Sequence, residues 1–233
     1  MARYLLLEGG AEFGGQMSAP DRRAIELAGG YDAQISIIPT AAAPDNNHSR
    51  AGNNGVRWFR SLGATNVELL SLIDTASAND VGIVTSIRHS RLIYMLGGFT
   101  AYLGETLKGS ASERAMLEVY EAGAVIAGSS AGAMVMCQYY FNPERGQVVE
   151  GLNFIPNTCV LPHHNTFGKR WAAQLSKLLP HAVLLGIDEQ TGMLDDGDKS
   201  SWRVYGRGAV TIYRKGQPTV YASGQEFHDD FLS

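Results

Sequence analysis

Cysteine is nearly absent: Cys137 and Cys159 are the two in 233 residues, and both lie in apolar runs. That excludes a disulfide framework, and without any C-x-x-C pair it leaves no thiolate zinc site. Buried core thiols in a reducing compartment are the expectation. An excess of positive charge is missing as well. A formal net charge of −4 offers nothing to nucleic acid or to an anionic membrane, so neither is expected as a partner. Long apolar runs are lacking too, and the opening stretch holds only the four residues Tyr4 to Leu7. A signal-peptide core or a membrane span needs far more, which makes a soluble cytoplasmic protein the expectation. Repeats, low-complexity tracts and Pro/Ser-rich linkers are absent, so residues 1–233 are expected to form a single α/β domain.

What the chain does have is alternation. Short apolar runs at residues 3–7, 34–38, 67–70, 91–96, 124–127, 158–161 and 183–187 read as buried strands. Helical stretches fall between them at 18–28, 56–62, 79–90, 100–107, 112–121 and 171–179, and residues 40–54 read as loop. Continuous apolar strands alternating with helices predict a mostly parallel sheet covered on both faces, a three-layer sandwich. After residue 187 the pattern turns β-rich, with hairpin signals at Asp195-Asp196-Gly197-Asp198 and Lys215-Gly216. An exposed apolar strand edge in that tail is where a homodimer would form.

The most informative stretch is residues 123–137. An apolar strand breaks into Gly128-Ser129-Ser130-Ala131-Gly132, and a small-residue helix starts near Ala131. This is G-x-S-x-G in the strand–turn–helix context of a nucleophile elbow, with Ser130 at its apex. The helix N-terminus directs free N–H groups and positive dipole at whatever lies over that serine. A serine nucleophile needs a base, a group to orient the base, and donors for the oxyanion.

Of the six histidines, His48, His89, His181 and His228 lie in polar or helix-end positions. His163 and His164 close a strand on the sheet edge expected to carry Ser130. Adjacent residues leaving a strand point in opposite directions, so at most one of them faces the serine. Glu189 or its neighbour Asp188, closing the next strand, would orient the imidazole. The oxyanion donors would be the Ala131 N–H and the N–H of Gly98, from the glycine pair ending the fourth strand. No metal is expected, because His163-His164 lacks the i,i+4 spacing of a helical ligand pair. Nor is a cofactor, since Gly9-Gly10 to Gly15 lacks the dinucleotide-binding spacing.

Together these residues resemble the cyanophycinase and dipeptidase E family of serine peptidases, which has the class I glutamine amidotransferase-like, flavodoxin-related fold. The segment from Ala127 to Ala133 matches its nucleophile motif, and Ile38-Pro39-Thr40-Ala41 matches its second strand end. Gly97-Gly98 matches its oxyanion pair, Pro162-His163 its histidine, and Gly186-Ile187-Asp188-Glu189-Gln190-Thr191 its acidic motif. The resemblance implies a Ser130–His163–Glu189 triad, an acyl-enzyme and a small peptide or amide substrate. Phe99 and Thr100, after the glycine pair, and Lys169 are the implied substrate-binding positions; charge and nearness in sequence alone make Lys169, Arg170 or Arg145 the candidates for a substrate carboxylate. Three residues depart from the family. Phe99 stands where an amide side chain is usual, Lys169 where the cyanophycinase branch has arginine, and His164 where an aromatic is typical. Lysine cannot reproduce a bidentate grip on a carboxylate, so aspartyl or β-aspartyl-arginine specificity does not carry over. The alternatives are a non-catalytic amidotransferase-like binding or regulatory module, and an esterase or transferase using the same acyl-enzyme.

Overall fold

A computed structural model describes residues 3–195 and 201–228. In chain order it begins with β1 (Tyr4–Glu8), α1 (Ser18–Leu27), β2 (Ile35–Ile38), α2 (His48–Ser61), β3 (Val67–Leu69), α3 (Val81–His89) and β4 (Leu92–Met95). Helices α4 (Thr100–Leu107) and α5 (Ala111–Glu121) follow, then β5 (Val125–Ser129) and α6 (Ala131–Met136). Next come β6 (Cys137–Asn142), β7 (Gln147–Glu150), β8 (Ile155–Leu161), α7 (Ala172–Leu178) and β9 (Val183–Ile187). The chain then runs through β10 (Thr191–Asp195), β11 (Ser201–Gly206), β12 (Ala209–Arg214), β13 (Gln217–Ala222) and β14 (Glu226–His228).

The first sheet has the order β14-β11-β10-β1-β5-β4-β2-β3. Its pairings from β1 to β3 are parallel, and β10, β11 and β14 extend it antiparallel. The period-2 geometry of β1 sorts its leucines. Leu5 and Leu7 enter the larger core with Met95 and Ile126, while Leu6 turns to the opposite face with Ile25, Phe59 and Tyr94. Each leucine is fully buried and contributes about 1.5–3 kcal/mol relative to exposure. Helix starts follow the local signals. Asp80 Oδ1 accepts the Ile83 N–H at 3.0 Å, and Ser110 Oγ accepts that of Glu113 at 3.0 Å.

The strands expected to continue this sheet form another one. A second sheet has the order β13-β12-β9-β8-β6-β7, so the strand leading to His163 lies in a different sheet from the Ser130 strand. Strands β6 and β7 escape sequence reading because β6 starts directly after α6, merging two apolar runs of different period. The two sheets meet through backbone at their ends: His163 N–H donates to Gly9 O at 2.7 Å, and Gln190 N–H to Gly10 O at 3.0 Å.

Helix α2 begins at His48, inside the stretch that reads as loop. Asn, Gly and Ser are weak helix formers, yet packing overrides them. A Cβ on Gly52 would meet Leu69 Cδ1 at 2.3 Å, and one on Gly55 would meet Phe13 at 2.9 Å, so both glycines let the helix lie close. The Lys215-Gly216 turn has φ of 50° and 77° between Arg214 and Gln217, a two-residue hairpin turn. Of the other expected hairpin turn only Asp195 is within the described residues. Among those residues no helix is long and apolar enough to cross a membrane.

Candidate active site

Ser130 sits at φ 48° and ψ −107°, between the end of β5 and the first turn of α6. A non-glycine residue in that region is strained by about 1–3 kcal/mol. Close packing imposes the strain: a Cβ on Gly128 would lie 2.5 Å from Gly132 C, and one on Gly132 would lie 2.2 Å from Met95 O. The Ser130 N–H donates to Glu8 O at 2.9 Å, which ties the elbow to β1.

Ser130 Oγ lies 3.0 Å from His163 Nε2, and His163 Nδ1 lies 2.9 Å from Glu189 Oε1. An Nδ1–H donated to the carboxylate leaves Nε2 free to accept the serine proton, the tautomer a general base requires. Two neighbours hold the imidazole. Gly10, at φ 119°, has no Cβ to strike the ring, which a Cβ would approach at 2.3 Å. Phe167 stacks on the ring at 4.8 Å between centroids and 23° between planes. His163 itself has φ 49°, and its carbonyl accepts the N–H groups of Thr166 and Gly168 at 3.0 Å. Glu189 is anchored by its own N–H, donated to Asn165 Oδ1 at 3.0 Å.

The neighbouring histidine and acid form a separate pair. His164 is 5% exposed, with Nδ1 3.4 Å from Asp188 Oδ1 and Nε2 2.9 Å from the Tyr213 hydroxyl. Burial pulls its pKa below the ordinary value, with Asp188 opposing. Neither member reaches Ser130.

Among the described residues, the N–H groups of Gly98 and Ala131 donate to no protein acceptor. Gly98 has φ 137°, and a Cβ there would stand 2.3 Å from Ala41 O. The next N–H, on Phe99, is already donated to Ala41 O at 2.8 Å. Two clefts flank the glycine pair. One, of about 460 Å³, is lined by Gly98, Phe99, Thr100, Tyr102, Glu105 and Arg145. The other, of about 560 Å³, is lined by Gly97, Glu12, Phe13, Asn54, Arg57 and Trp58. Lys169 joins neither. It lines a third cleft with Lys177, Pro180 and Tyr213, because the turn after His163 carries it toward α7 and the β12–β13 hairpin.

Sequence reading missed the acids beneath the elbow. Glu8 and Asp21 are fully buried, and Tyr94 donates to Glu8 Oε2 and Trp58 Nε1 to Asp21 Oδ2. Burial, then the Asp21 charge, hold the Glu8 carboxyl well above its usual range, and burial pushes Asp21 up to about 7. Each carboxyl therefore holds its proton more tightly than an exposed acid would. Glu12 lies closer to Ser130 and accepts from Ser129 Oγ at 2.9 Å. An acid closing the apolar run Leu5-Leu6-Leu7 was the available signal for Glu8. Nothing in the sequence singles out Glu12 beyond its place after Gly9-Gly10.

The sequence pattern of peptidase family S51 matches residues 5–202. The chain belongs to peptidase family S51. Among its relatives, the cyanophycinase of Geminocystis herdmanii is 32% identical over 250 residues, covering all of this chain and 90% of that protein. The cyanophycinase of Synechococcus elongatus is 31% identical over 204 residues, covering 80% of this S51 chain. The chain spans only 60% of that relative's length. Among solved structures, a peptidase from an acI-B1 Actinobacterium superposes with a TM-score of 0.88 at 28% identity, covering 98% of each chain. The structure of a putative peptidase E protein from Listeria monocytogenes EGD-e superposes with a TM-score of 0.59 at 20% identity, covering 92% of this chain and 99% of that one. That last likeness is one of fold. The S51 fold is thus the mixed α/β architecture described above.

Proposed function

We propose that this S51 chain, acting as one domain over residues 1–233, is a serine peptidase that cleaves a small peptide or amide through an acyl-enzyme. Ser130 Oγ attacks the scissile carbonyl carbon while His163 Nε2 takes its proton. The carbonyl oxygen becomes an oxyanion held by the N–H groups of Gly98 and Ala131. The imidazolium, supported by Glu189, hands the proton to the departing nitrogen, and the amine leaves. Water, deprotonated by the same imidazole, attacks the acyl carbon, and the collapsing intermediate releases the acid and restores the serine hydroxyl.

The single observation carrying this reading is the continuous relay from Ser130 Oγ to His163 at 3.0 Å and on to Glu189 at 2.9 Å. It supports catalysis over a purely binding role. The 460 Å³ cleft is of ligand-binding size, with Phe99 42% exposed in it beside Thr100 and an Arg145–Glu105 ion pair at 3.6 Å. An apolar or aromatic group suits that surface, and Arg145 takes the role of substrate cation in place of Lys169. The decisive experiment is covalent labelling by a fluorophosphonate probe, with hydrolysis of a dipeptide library and of cyanophycin run in parallel. Stoichiometric labelling, lost in Ser130→Ala, supports the reading. No labelling and no turnover would end it.

The reading includes a cytoplasmic location, supported by two free, buried cysteines. It also includes a homodimer through the β13 edge, where Val220 is 60% exposed. A monomeric mass by light scattering removes the dimer.

A further inference from the structure

The proton leaving Ser130 puts a positive charge on His163, and one side chain without a polar atom lies flat against that ring. Phe167 stacks there with 4.8 Å between centroids and 23° between planes. The backbone fixes it in place. The His163 carbonyl accepts the N–H groups of Thr166 and Gly168 and the Thr166 hydroxyl, each at 3.0 Å, so the chain turns back over its own imidazole. Gly168 permits the turn, since a Cβ there would stand 1.9 Å from Pro162 O. Trp171 then meets Phe167 at 5.6 Å and 66°, and the buried Phe141 meets Trp171 at 5.3 Å. A phenylalanine that is 42% exposed is thereby tied to the core through two further aromatic rings.

What such a stack contributes depends on whether His163 carries a proton on both nitrogens. Against a neutral imidazole, a phenyl face offers dispersion and burial. Against an imidazolium it adds attraction between a full charge and the negative face of the ring, which acts within about 6 Å of the centroid. In the proposed reaction the imidazolium exists only once the serine proton has been taken. The added attraction is therefore absent from the resting relay and present when the oxyanion forms. An interaction confined to that stage raises kcat and leaves substrate binding alone. Glu189 meets the same charge at Nδ1, and Phe167 meets it from the face of the ring.

We infer that Phe167 is a positioning residue that acts through His163, holding the ring and stabilising its imidazolium with a π face. This rests on the serine-peptidase reading, and the test separates the two. Phe167→Leu keeps apolar bulk and removes the π face, while Phe167→Tyr keeps both. Phenylalanines of rising fluorine content, placed at this position, keep the ring and drain negative charge from its face. Two rates are followed: the rate of fluorophosphonate labelling at saturating probe, and kcat on a dipeptide that the wild type cleaves. Phe167→Leu is expected to lower both by about fivefold with KM within about twofold, and Phe167→Tyr to stay near the wild type. The fluorinated series should fall stepwise toward the leucine value. A flat fluorinated series overturns the inference, because packing survives fluorination. So does a loss that appears in KM alone. Should Phe167→Leu not fold, the fluorinated series decides; should no dipeptide be cleaved, the labelling rates decide. A wild type that labels at Ser130 while the series stays flat removes this inference alone. Absence of labelling removes the underlying reading.

Discussion

Two histidine–acid pairs lie side by side in this molecule, built from residues adjacent in sequence. His163 pairs with Glu189, and His164 pairs with Asp188. Each imidazole rests on a glycine whose missing Cβ makes room for it. A Cβ on Gly10 would stand 2.3 Å from the first ring, and one on Gly186 would stand 2.4 Å from the second. Their surroundings then diverge. The His163 side chain is partly open and its Nε2 meets a strained serine. His164 is sealed, with its Nε2 on the Tyr213 hydroxyl. A hydrogen-bonded His–acid pair is therefore not in itself a catalytic unit; what the far nitrogen touches decides. The left-handed backbone of His163 rotates one ring toward Ser130, while the His164 N–H stays bonded to Ile187 O at 3.0 Å.

The two pairs are expected to differ most at the far nitrogens. Replacing His163 by Ala is expected to lower kcat by about 10⁵-fold. His164→Ala is expected to leave the kcat of the folded protein within about tenfold and to cost about 1–3 kcal/mol of stability by stranding the Tyr213 hydroxyl. Chemical denaturation and steady-state kinetics on both variants check this. Should His164→Ala be the more damaging to kcat, the assignment of the two roles is reversed.

The acids come next in size. Glu189→Gln removes the acceptor that sets the His163 tautomer and is expected to lower kcat by about 10³-fold. Asp188→Asn should change kcat little, because its carboxylate faces the buried ring and the Ala209 N–H. The glycines give a smaller contrast. Gly10→Ala, at φ 119° and against His163, is expected to lower kcat by on the order of 100-fold through a displaced base. Gly186→Ala pushes on His164 instead, and its effect should appear in melting temperature before it appears in rate.

The smallest effect sharpens the comparison through pH. Burial lowers the His164 pKa in the folded state, so its contribution to stability is present above the histidine's ordinary value and is lost as pH falls through the folded one. Asp21, pushed up to about 7, works in the opposite sense. Its contribution is present below the ordinary carboxylate value and is lost as pH rises through about 7. Melting curves against pH should lose the acid-side decline in His164→Gln and the alkaline-side decline in Asp21→Asn. Unchanged curves in both variants would remove the buried pairs from the pH response.

The elbow was legible before any coordinates, because glycines two residues either side of a serine, after an apolar strand and before a small-residue helix, permit few backbone paths. His163 and Glu189 were legible through their motifs, and strand-end geometry predicted that at most one of the adjacent histidines would face Ser130. Helix α2 was hidden because Gly52 and Gly55 are poor helix formers in isolation and good ones only beneath Leu69 and Phe13. Lys169 stands six residues after His163, but that spacing measures chain length rather than direction, and the turn at Gly168 sends it to another cleft. Glu8 and Asp21 carry no motif, and thirteen positions of sequence separate two side chains whose charges act on each other.

By itself the sequence determined the local elements that need only near neighbours: the buried parallel strands, the strained serine turn and the two-residue hairpin at Lys215-Gly216. These follow from side-chain period and backbone sterics, which act over a few residues. Only the tertiary structure decided that a second sheet, not the first, brings the His163 imidazole to Ser130, which clefts flank Gly97-Gly98, and which acids are buried together. Those depend on contacts between distant segments, where burial and mutual charge set the chemistry and no local pattern records the partner.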